Sequence, residues 1–186
     1  LFLNANGSVK STQAIAQGIG NGPTLADGDT FGRSIASLGG LDGDGVSDLA
    51  VGTQLDDTGG TNRGAVYVLL MNASGTVKSR QKIASGTNGG PALADGDLFG
   101  DSVAAVGDLD GDGLTDLAVG AYRDDTGTVD AGSVYLLLMS SNGTVRGTRK
   151  IASGTGGGPT LAGGDFFGSA VGGGERCRFA PYTSER

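Results

Sequence analysis

The sequence predicts an all-β fold built from repeated four-stranded antiparallel units, and three observations support this class. Glycine provides 38 of the 186 residues. All 18 acidic residues before Glu175 are Asp, which favours turns and caps and is poor in helix interiors. The same sequence elements also return at a fixed interval along the chain. A chain with this composition and periodicity is expected to form strands and turns instead of helices.

The repeat interval is 68 residues. Phe31-Gly32 recurs as Phe99-Gly100 and again as Phe167-Gly168. The stretch 82–87 recurs at 150–155, and no insertion or deletion interrupts the register. A fixed period of this length indicates a repeat architecture in which each unit is one supersecondary structure.

Four strands fit into each unit. In the second unit they are predicted at 102–106, 117–121 and 133–139, with a fourth near 149–152. The third strand is apolar at nearly every position, which indicates that both of its faces are covered. Blades of a β-propeller meet this condition, because each sheet packs between two neighbours. The sequence therefore predicts propeller blades.

The period also divides the chain into about two full blades with a partial blade at each end. Two or three blades are fewer than the roughly four to eight of a closed propeller. We therefore expect the open edges to pair with further blades of the same protein or with other copies of it. The predicted segments are the end of a preceding blade and a linker at 1–30, with a fourth strand near 13–16; a blade at 31–98; a blade at 99–166; the start of a third blade at 167–174, with a first strand near 169–171; and a non-repeat tail at 175–186.

An acidic loop at 108–116 is the strongest functional signal. Acids that alternate along a chain repel one another by roughly 1 kcal/mol or more per close pair. Calcium removes that cost, since it takes six to eight oxygen ligands at about 2.3–2.6 Å. An EF-hand would require a bidentate Glu at the twelfth position of the loop, where this chain has Val119. We therefore predict a calcium loop between two strands.

The first unit carries a weaker version of this loop, because Gly40 occupies the position of Asp108. In the third unit Arg176, Arg178 and Ala180 stand where acids would align, so no third site is expected there. The predicted calcium ligands are the side chains of Asp108, Asp110, Asp112 and Asp116 with the backbone oxygen of Leu114, and the side chains of Asp42, Asp44 and Asp48 with the backbone oxygen of Val46.

Composition argues against several functions. The net charge of -7 disfavours nucleic acid as a partner, because phosphate binding needs clustered Lys and Arg. The sequence has no His and no candidate nucleophile beside a base, which argues against an enzyme. A single cysteine, Cys177, allows no internal disulfide, and no apolar run approaches the ~20 residues of a membrane helix.

The repeat resembles the FG-GAP repeat of integrin α-subunit propellers and of secreted bacterial proteins. Phe99-Gly100 matches the FG element and 108–116 the calcium loop. Gly120-Ala121-Tyr122 matches the GAP element with Tyr in place of Pro. The resemblance implies four-stranded blades with calcium in the hairpin that joins the first two strands, and a role in adhesion or ligand binding outside the cell.

These observations predict a non-enzymatic, calcium-stabilised propeller segment of an extracellular or cell-surface protein. Its expected roles are adhesion, ligand binding or structural assembly. Its expected partners are further blades or copies of itself, together with an extracellular protein or glycan ligand. Two alternatives stay open at this point: a non-catalytic part of a secreted enzyme, and a self-assembling filament unit.

Overall fold

The computed structural model describes residues 2–173 and confirms the all-β prediction. Within these residues every regular element is a strand, and the strands form two four-stranded sheets and one two-stranded sheet, all antiparallel. The strands are β1 (Phe2–Leu3), β2 (Val9–Ser11), β3 (Ile35–Gly39), β4 (Asp48–Thr53), β5 (Ala65–Met71), β6 (Val77–Ala84), β7 (Ser102–Ala105), β8 (Leu117–Ala121), β9 (Ser133–Met139) and β10 (Val145–Ala152).

The two large sheets are the predicted blades. Strands β3 to β6 form blade 1 and strands β7 to β10 form blade 2, each with its strands in sequential order. Their registers match at the repeat interval: Val51 pairs with Tyr67 in blade 1, and Val119 pairs with Tyr135 in blade 2. Each blade is therefore a simple meander, and the sequence repeat is a structural repeat.

The third strand of each blade is buried for the reason that its composition predicts. All seven residues of β5 are buried. In β9, Leu136 and Leu138 are only half-buried, while Leu137 is fully buried. The difference arises because β5 has side chains packed on both sides, whereas one side of β9 faces no further blade in the described chain.

Each blade has two apolar faces, which we name by their neighbours. The front face of blade 2 packs against the back face of blade 1, and one continuous core fills the space between them. Phe99 is fully buried in this core, with its ring centroid 5.6 Å from that of Tyr135 in an edge-to-face contact. The back face of blade 1 contributes Ala50, Val66, Val68 and Leu70, and the front face of blade 2 contributes Leu117, Val119, Tyr135, Leu137 and Met139.

The front face of blade 1 carries a second, smaller core. Val51, Tyr67, Leu69 and Met71 form it, and residues before the blade cover part of it. An open apolar cleft of about 400 Å³ remains beside them. Blade 1 thus presents in part the same surface that blade 2 buries completely against its neighbour.

The Phe-Gly elements join successive blades. Phe99 forms a parallel bridge to Gly64, at the start of the third strand of blade 1, and Arg33 forms a 2.7 Å ion pair with the buried Asp101. The second glycine of this junction, Gly52, has no room for a side chain, because a Cβ there would lie 2.0 Å from the carbonyl oxygen of Gly100. Close backbone contact between repeats therefore explains the glycine of the GAP element.

Two predicted strands at the ends of the repeat array are wrong. Residues 13–16 form no strand, and β1 pairs with β2 in a separate hairpin instead. Residues 169–171 form no strand either. In the complete blades the matching strands pair with the third and second strands, respectively, and the described chain offers no such partner at either end. Strand β10 begins at Val145, four residues earlier than predicted, because it pairs along the length of β9.

Two further limits of the described region bear on the predictions. The tail at 175–186, including the predicted absence of a third calcium loop, lies outside the described residues. Within residues 2–173, no helix has the length and hydropathy that crossing a membrane requires.

Candidate metal centre

Both acidic loops lie where the first two strands of a blade meet, between β3 and β4 and between β7 and β8. The glycines within them turn the chain back through left-handed conformations, with φ of 88° at both Gly111 and Gly113. Such angles suit glycine and strain most other residues. The local sequence therefore sets the curvature that brings the acidic side chains to one side of the loop.

Asp108 organises the backbone of the blade 2 loop. One of its carboxylate oxygens accepts hydrogen bonds from the amides of Gly111 and Asp112, and the other accepts one from Gly113 at 3.0 Å. Blade 1 has Gly40 at this position and lacks these three bonds. The substitution therefore removes a carboxylate and also the side chain that shapes the loop.

Asp116 connects the loop to the core of the blade. Its side chain is fully buried, and its two oxygens accept hydrogen bonds from the amides of Leu109 at 2.7 Å and Met139 at 2.9 Å. Asp48 repeats this arrangement with the amides of Leu41 and Met71. Burial raises the pKa of Asp116, and the charges of nearby acids raise it further, against the effect of its hydrogen bonds. A nearby cation would offset this cost.

Three carboxylates of blade 2 converge. Asp108, Asp110 and Asp116 each place one oxygen within 4.8 Å of the others. An all-oxygen donor set of this kind suits a hard cation such as calcium. The residues present therefore fit the predicted ion in chemistry. The parts assigned to Asp112 and to the carbonyl oxygen of Leu114 stay predictions, because Asp112 lies outside the converging group.

The blade 1 loop is less complete. Among the described residues, Asp42, Asp44 and Asp48 form no such converging group. The carbonyl oxygen of Val46 lies close to Gly40, at 3.4 Å from where a Cβ on that glycine would be. The assignment of Val46 and the three Asp side chains as ligands stays a prediction for this loop.

A basic side chain from the fourth strand lies over each loop. Lys78 Nζ is 2.6 Å from Asp42 Oδ2 and 2.6 Å from Asp44 Oδ2. In blade 2, one terminal nitrogen of Arg146 donates to both Asp110 and Asp112. Hydrogen bonds to Asp42 and Asp44 raise the pKa of Lys78 above its ordinary value. From the sequence these cations were expected to be solvated edge residues, and that expectation is wrong.

A second acidic cluster in each blade is structural in its contacts. Asp56 and Asp124 were expected to be solvated loop acids, yet they are 1% and 2% exposed. Each forms a 2.6 Å ion pair with a lysine of the fourth strand, Lys82 or Lys150. Burial favours the neutral acid, but hydrogen bonds from Lys150 and from Thr126 hold the pKa of Asp124 below its usual range. The sequence signal was the equal 26-residue spacing of acid and lysine in both repeats.

Comparison with known proteins identifies the repeats. A family model of the FG-GAP repeat matches residues 31–69 and 99–137, which contain the FG element, the acidic loop and the first three strands of each blade. Both matches begin at the Phe of the Phe-Gly pair. The residues that carried the resemblance in the sequence are therefore the ones that the family model recognises.

Integrin α-subunits are among the similar curated proteins. Integrin alpha-5 from Xenopus laevis is 39% identical over 111 residues, 60% of this chain and 10% of that protein. Integrin alpha pat-2 from Caenorhabditis briggsae is 41% identical over 119 residues, 63% of this chain and 9% of that protein. Integrin alpha-2 from Bos taurus is 35% identical over 103 residues. The matched part of the chain spans about a tenth of the length of these relatives or less.

Proposed function

Because the chain carries two FG-GAP repeats, we propose that it is a calcium-stabilised propeller segment of an extracellular or cell-surface protein. Its role is in adhesion, ligand binding or structural assembly. The observation that supports calcium most directly is the convergence of Asp108, Asp110 and Asp116 in the blade 2 hairpin. The similarity to integrin α-subunits supports the adhesive role and the location.

The blade 2 loop is the stronger of the two proposed sites. Calcium there would neutralise clustered carboxylates and hold the hairpin between β7 and β8 in shape. Asp108 fixes the loop backbone, and Asp116 fixes the loop to β9. In blade 1, Gly40 removes one carboxylate, so this loop is the weaker site.

We propose no catalytic role for this segment. The sequence contains no His, and the buried clusters around Lys82 and Lys150 are saturated with partners inside the blade. A non-catalytic part of a secreted enzyme remains the alternative that an activity screen with and without calcium addresses.

The open faces support the proposal that further blades or copies of the same protein cover them. The back face of blade 2 exposes Leu136 and Leu138 at the positions where blade 1 has Val68 and Leu70, which are buried against a neighbour. A self-assembling filament is therefore a second candidate, which electron microscopy would separate from closed rings. An extracellular protein or glycan is the remaining proposed ligand.

Thermal unfolding with and without calcium tests the proposed site. An ion that binds only the folded state stabilises it by about 2.7 kcal/mol at a hundredfold excess over its Kd. The melting temperature is therefore expected to rise with calcium and to fall on chelation. Asp108→Asn should reduce the rise, while Asp27→Asn, an exposed acid remote from the loops in sequence, should not. An unchanged melting temperature on chelation would reject the calcium proposal.

A further inference from the structure

Lys78 and Arg146 are equivalent positions in the repeat, yet they carry different cations. Both lie near the start of the fourth strand, on β6 and β10, and both reach back to a pair of acids in the loop of their own blade. An ammonium makes the contacts in one blade and a guanidinium makes them in the other. The arrangement is thus a property of the blade that does not depend on one side-chain geometry.

The Arg146 guanidinium is anchored on the side away from the acids. Its Nε donates a 3.1 Å hydrogen bond to the carbonyl oxygen of Met139 at the end of β9. The amide of the same residue donates to Asp116. The end of β9 therefore binds both the buried acid of the loop and the cation that lies over the loop.

The basic residue determines which acids converge. Asp112 is bound by Arg146 and by the amide of Leu114, and it is absent from the converging group of Asp108, Asp110 and Asp116. In blade 1, Lys78 bonds to both Asp42 and Asp44, and the described residues of that loop show no converging group. In each loop, two predicted ligands are already paired with a positive charge.

We propose that Lys78 and Arg146 are built-in counter-cations that compete with a divalent cation for these acids and thereby set the cation affinity of each loop. The inference rests on the proposed calcium binding and adds its regulation. Without the ion, the basic side chain reduces repulsion among the carboxylates. When the ion binds, Asp112 exchanges its contact with Arg146 for one with the ion.

The competition differs between the blades. The blade 1 loop has three acids against Lys78, and the blade 2 loop has four against Arg146. Blade 2 therefore retains more negative charge after its counter-cation is counted. Blade 2 is expected to fill first, while Lys78 neutralises the blade 1 loop until calcium is high.

Arg146→Gln tests the proposal, and Arg149→Gln is its matched control. Arg149 is exposed, lies three residues further along β10, and changes the net charge by the same amount. Calorimetric titration should show calcium binding to R146Q about two- to fivefold more tightly than to R149Q, the range that an exposed ion pair can supply. R146Q should also melt at a lower temperature than R149Q in chelator, with the gap closing in saturating calcium.

Other outcomes overturn the inference in distinguishable ways. Equal affinities of R146Q and R149Q would reject competition while leaving the proposed calcium site intact. A weaker affinity of R146Q would show that Arg146 positions the ligands instead. If neither the unmodified chain nor R146Q binds calcium, the proposed function fails together with the inference.

A measurement on the unmodified chain covers the case in which R146Q does not fold. The side-chain Nε–H resonance of Arg146, observed by ¹⁵N NMR, reports the contacts of its guanidinium. Calcium should shift this resonance as Arg146 leaves Asp110 and Asp112, with the same midpoint as the calorimetric titration. A resonance that stays unchanged at saturating calcium would overturn the inference.

Discussion

Asp97 is a buried acid with an incomplete set of compensating contacts. It is 4% exposed and accepts a hydrogen bond from the amide of Ala94. Burial raises its pKa to about 6; the charges of Asp124 and Asp125 add to the shift, and Lys150 opposes it. The folded state therefore holds a proton on Asp97 at a pH where the unfolded chain has lost it.

Asp97 should make stability fall as the pH rises from about 4 to about 6. In this window the folded state binds more protons than the unfolded state, so the free energy of unfolding decreases with pH and then levels off. Asp97→Asn should remove this contribution, which is on the order of 1–3 kcal/mol over the window. Urea unfolding at a series of pH values, in chelator, measures the difference between the two proteins.

The matched control is Asp165→Asn, one repeat further on. Asp165 accepts the same type of hydrogen bond, from the amide of Ala162, but its side chain is exposed. It therefore reports the effect of the same substitution in the same turn without burial. Parallel stability curves for the unmodified chain and D97N between pH 4 and 7 would contradict the prediction.

Spacing predicts residue roles only where the partners are local in sequence. The acidic loops were found because Asp108 and Asp116 lie within nine residues of each other, in a pattern that matches oxygen coordination. Lys78 and Arg146 lie more than 30 residues from their acids, and only the pairing of four strands brings them together. The burial of Asp56 and Asp124 depends in the same way on tertiary structure.

At the scale of elements, the most restrictive contact is the passage of one backbone against the next at the blade junction. A Cβ at Gly52 would lie 2.0 Å from the carbonyl oxygen of Gly100 and 2.2 Å from Ser34 Oγ. Ser34 Oγ itself donates a 2.9 Å hydrogen bond to that carbonyl. A side chain at Gly52 must therefore separate blade 1 from the FG element of blade 2.

Gly52→Ala is expected to destabilise the chain by about 1–3 kcal/mol or more, the usual cost of overpacking a core. Gly147→Ala is the control, because a Cβ there meets only the end of the Leu138 side chain, at 3.3 Å. Equilibrium unfolding in urea gives both values. A G52A variant as stable as G147A would show that the junction can yield without cost.

The central strands could be predicted from sequence, and the terminal ones could not. Strands β8 and β9 have the predicted limits because their apolar runs end at turn residues. The strand expected at 13–16 depended on pairing with a third strand of another blade. Pattern alone identifies residues suited to a strand, and an available partner decides whether the strand forms.

At the scale of the whole molecule, the two blades have unequal surroundings. The back face of blade 1 is buried against blade 2, while the back face of blade 2 is open at Leu136 and Leu138. Adjacent residues on β9 therefore belong to different environments: Leu137 lies in the core between the blades, and Leu138 lies on the open face.

This asymmetry predicts different costs for the same substitution. Leu137→Ala should destabilise the chain by about 2–5 kcal/mol, as fully buried leucines do, and Leu138→Ala by about 1 kcal/mol or less at low protein concentration. If another copy covers the open face, L138A should also weaken self-association measured by sedimentation. Similar losses of stability in both variants, at a concentration where the chain is monomeric, would contradict the assignment of the faces.

The parallel bridge between Gly64 and Phe99 has a consequence for how the chain is made. The junction of blade 1 is completed by residues that belong to the following repeat, including the ion pair between Arg33 and Asp101. Chains generally begin to fold from the amino terminus while they are still being synthesised. A nascent chain must therefore be extended beyond residue 101 before blade 1 can acquire its last contacts, so maturation of each blade lags behind translation by part of a repeat.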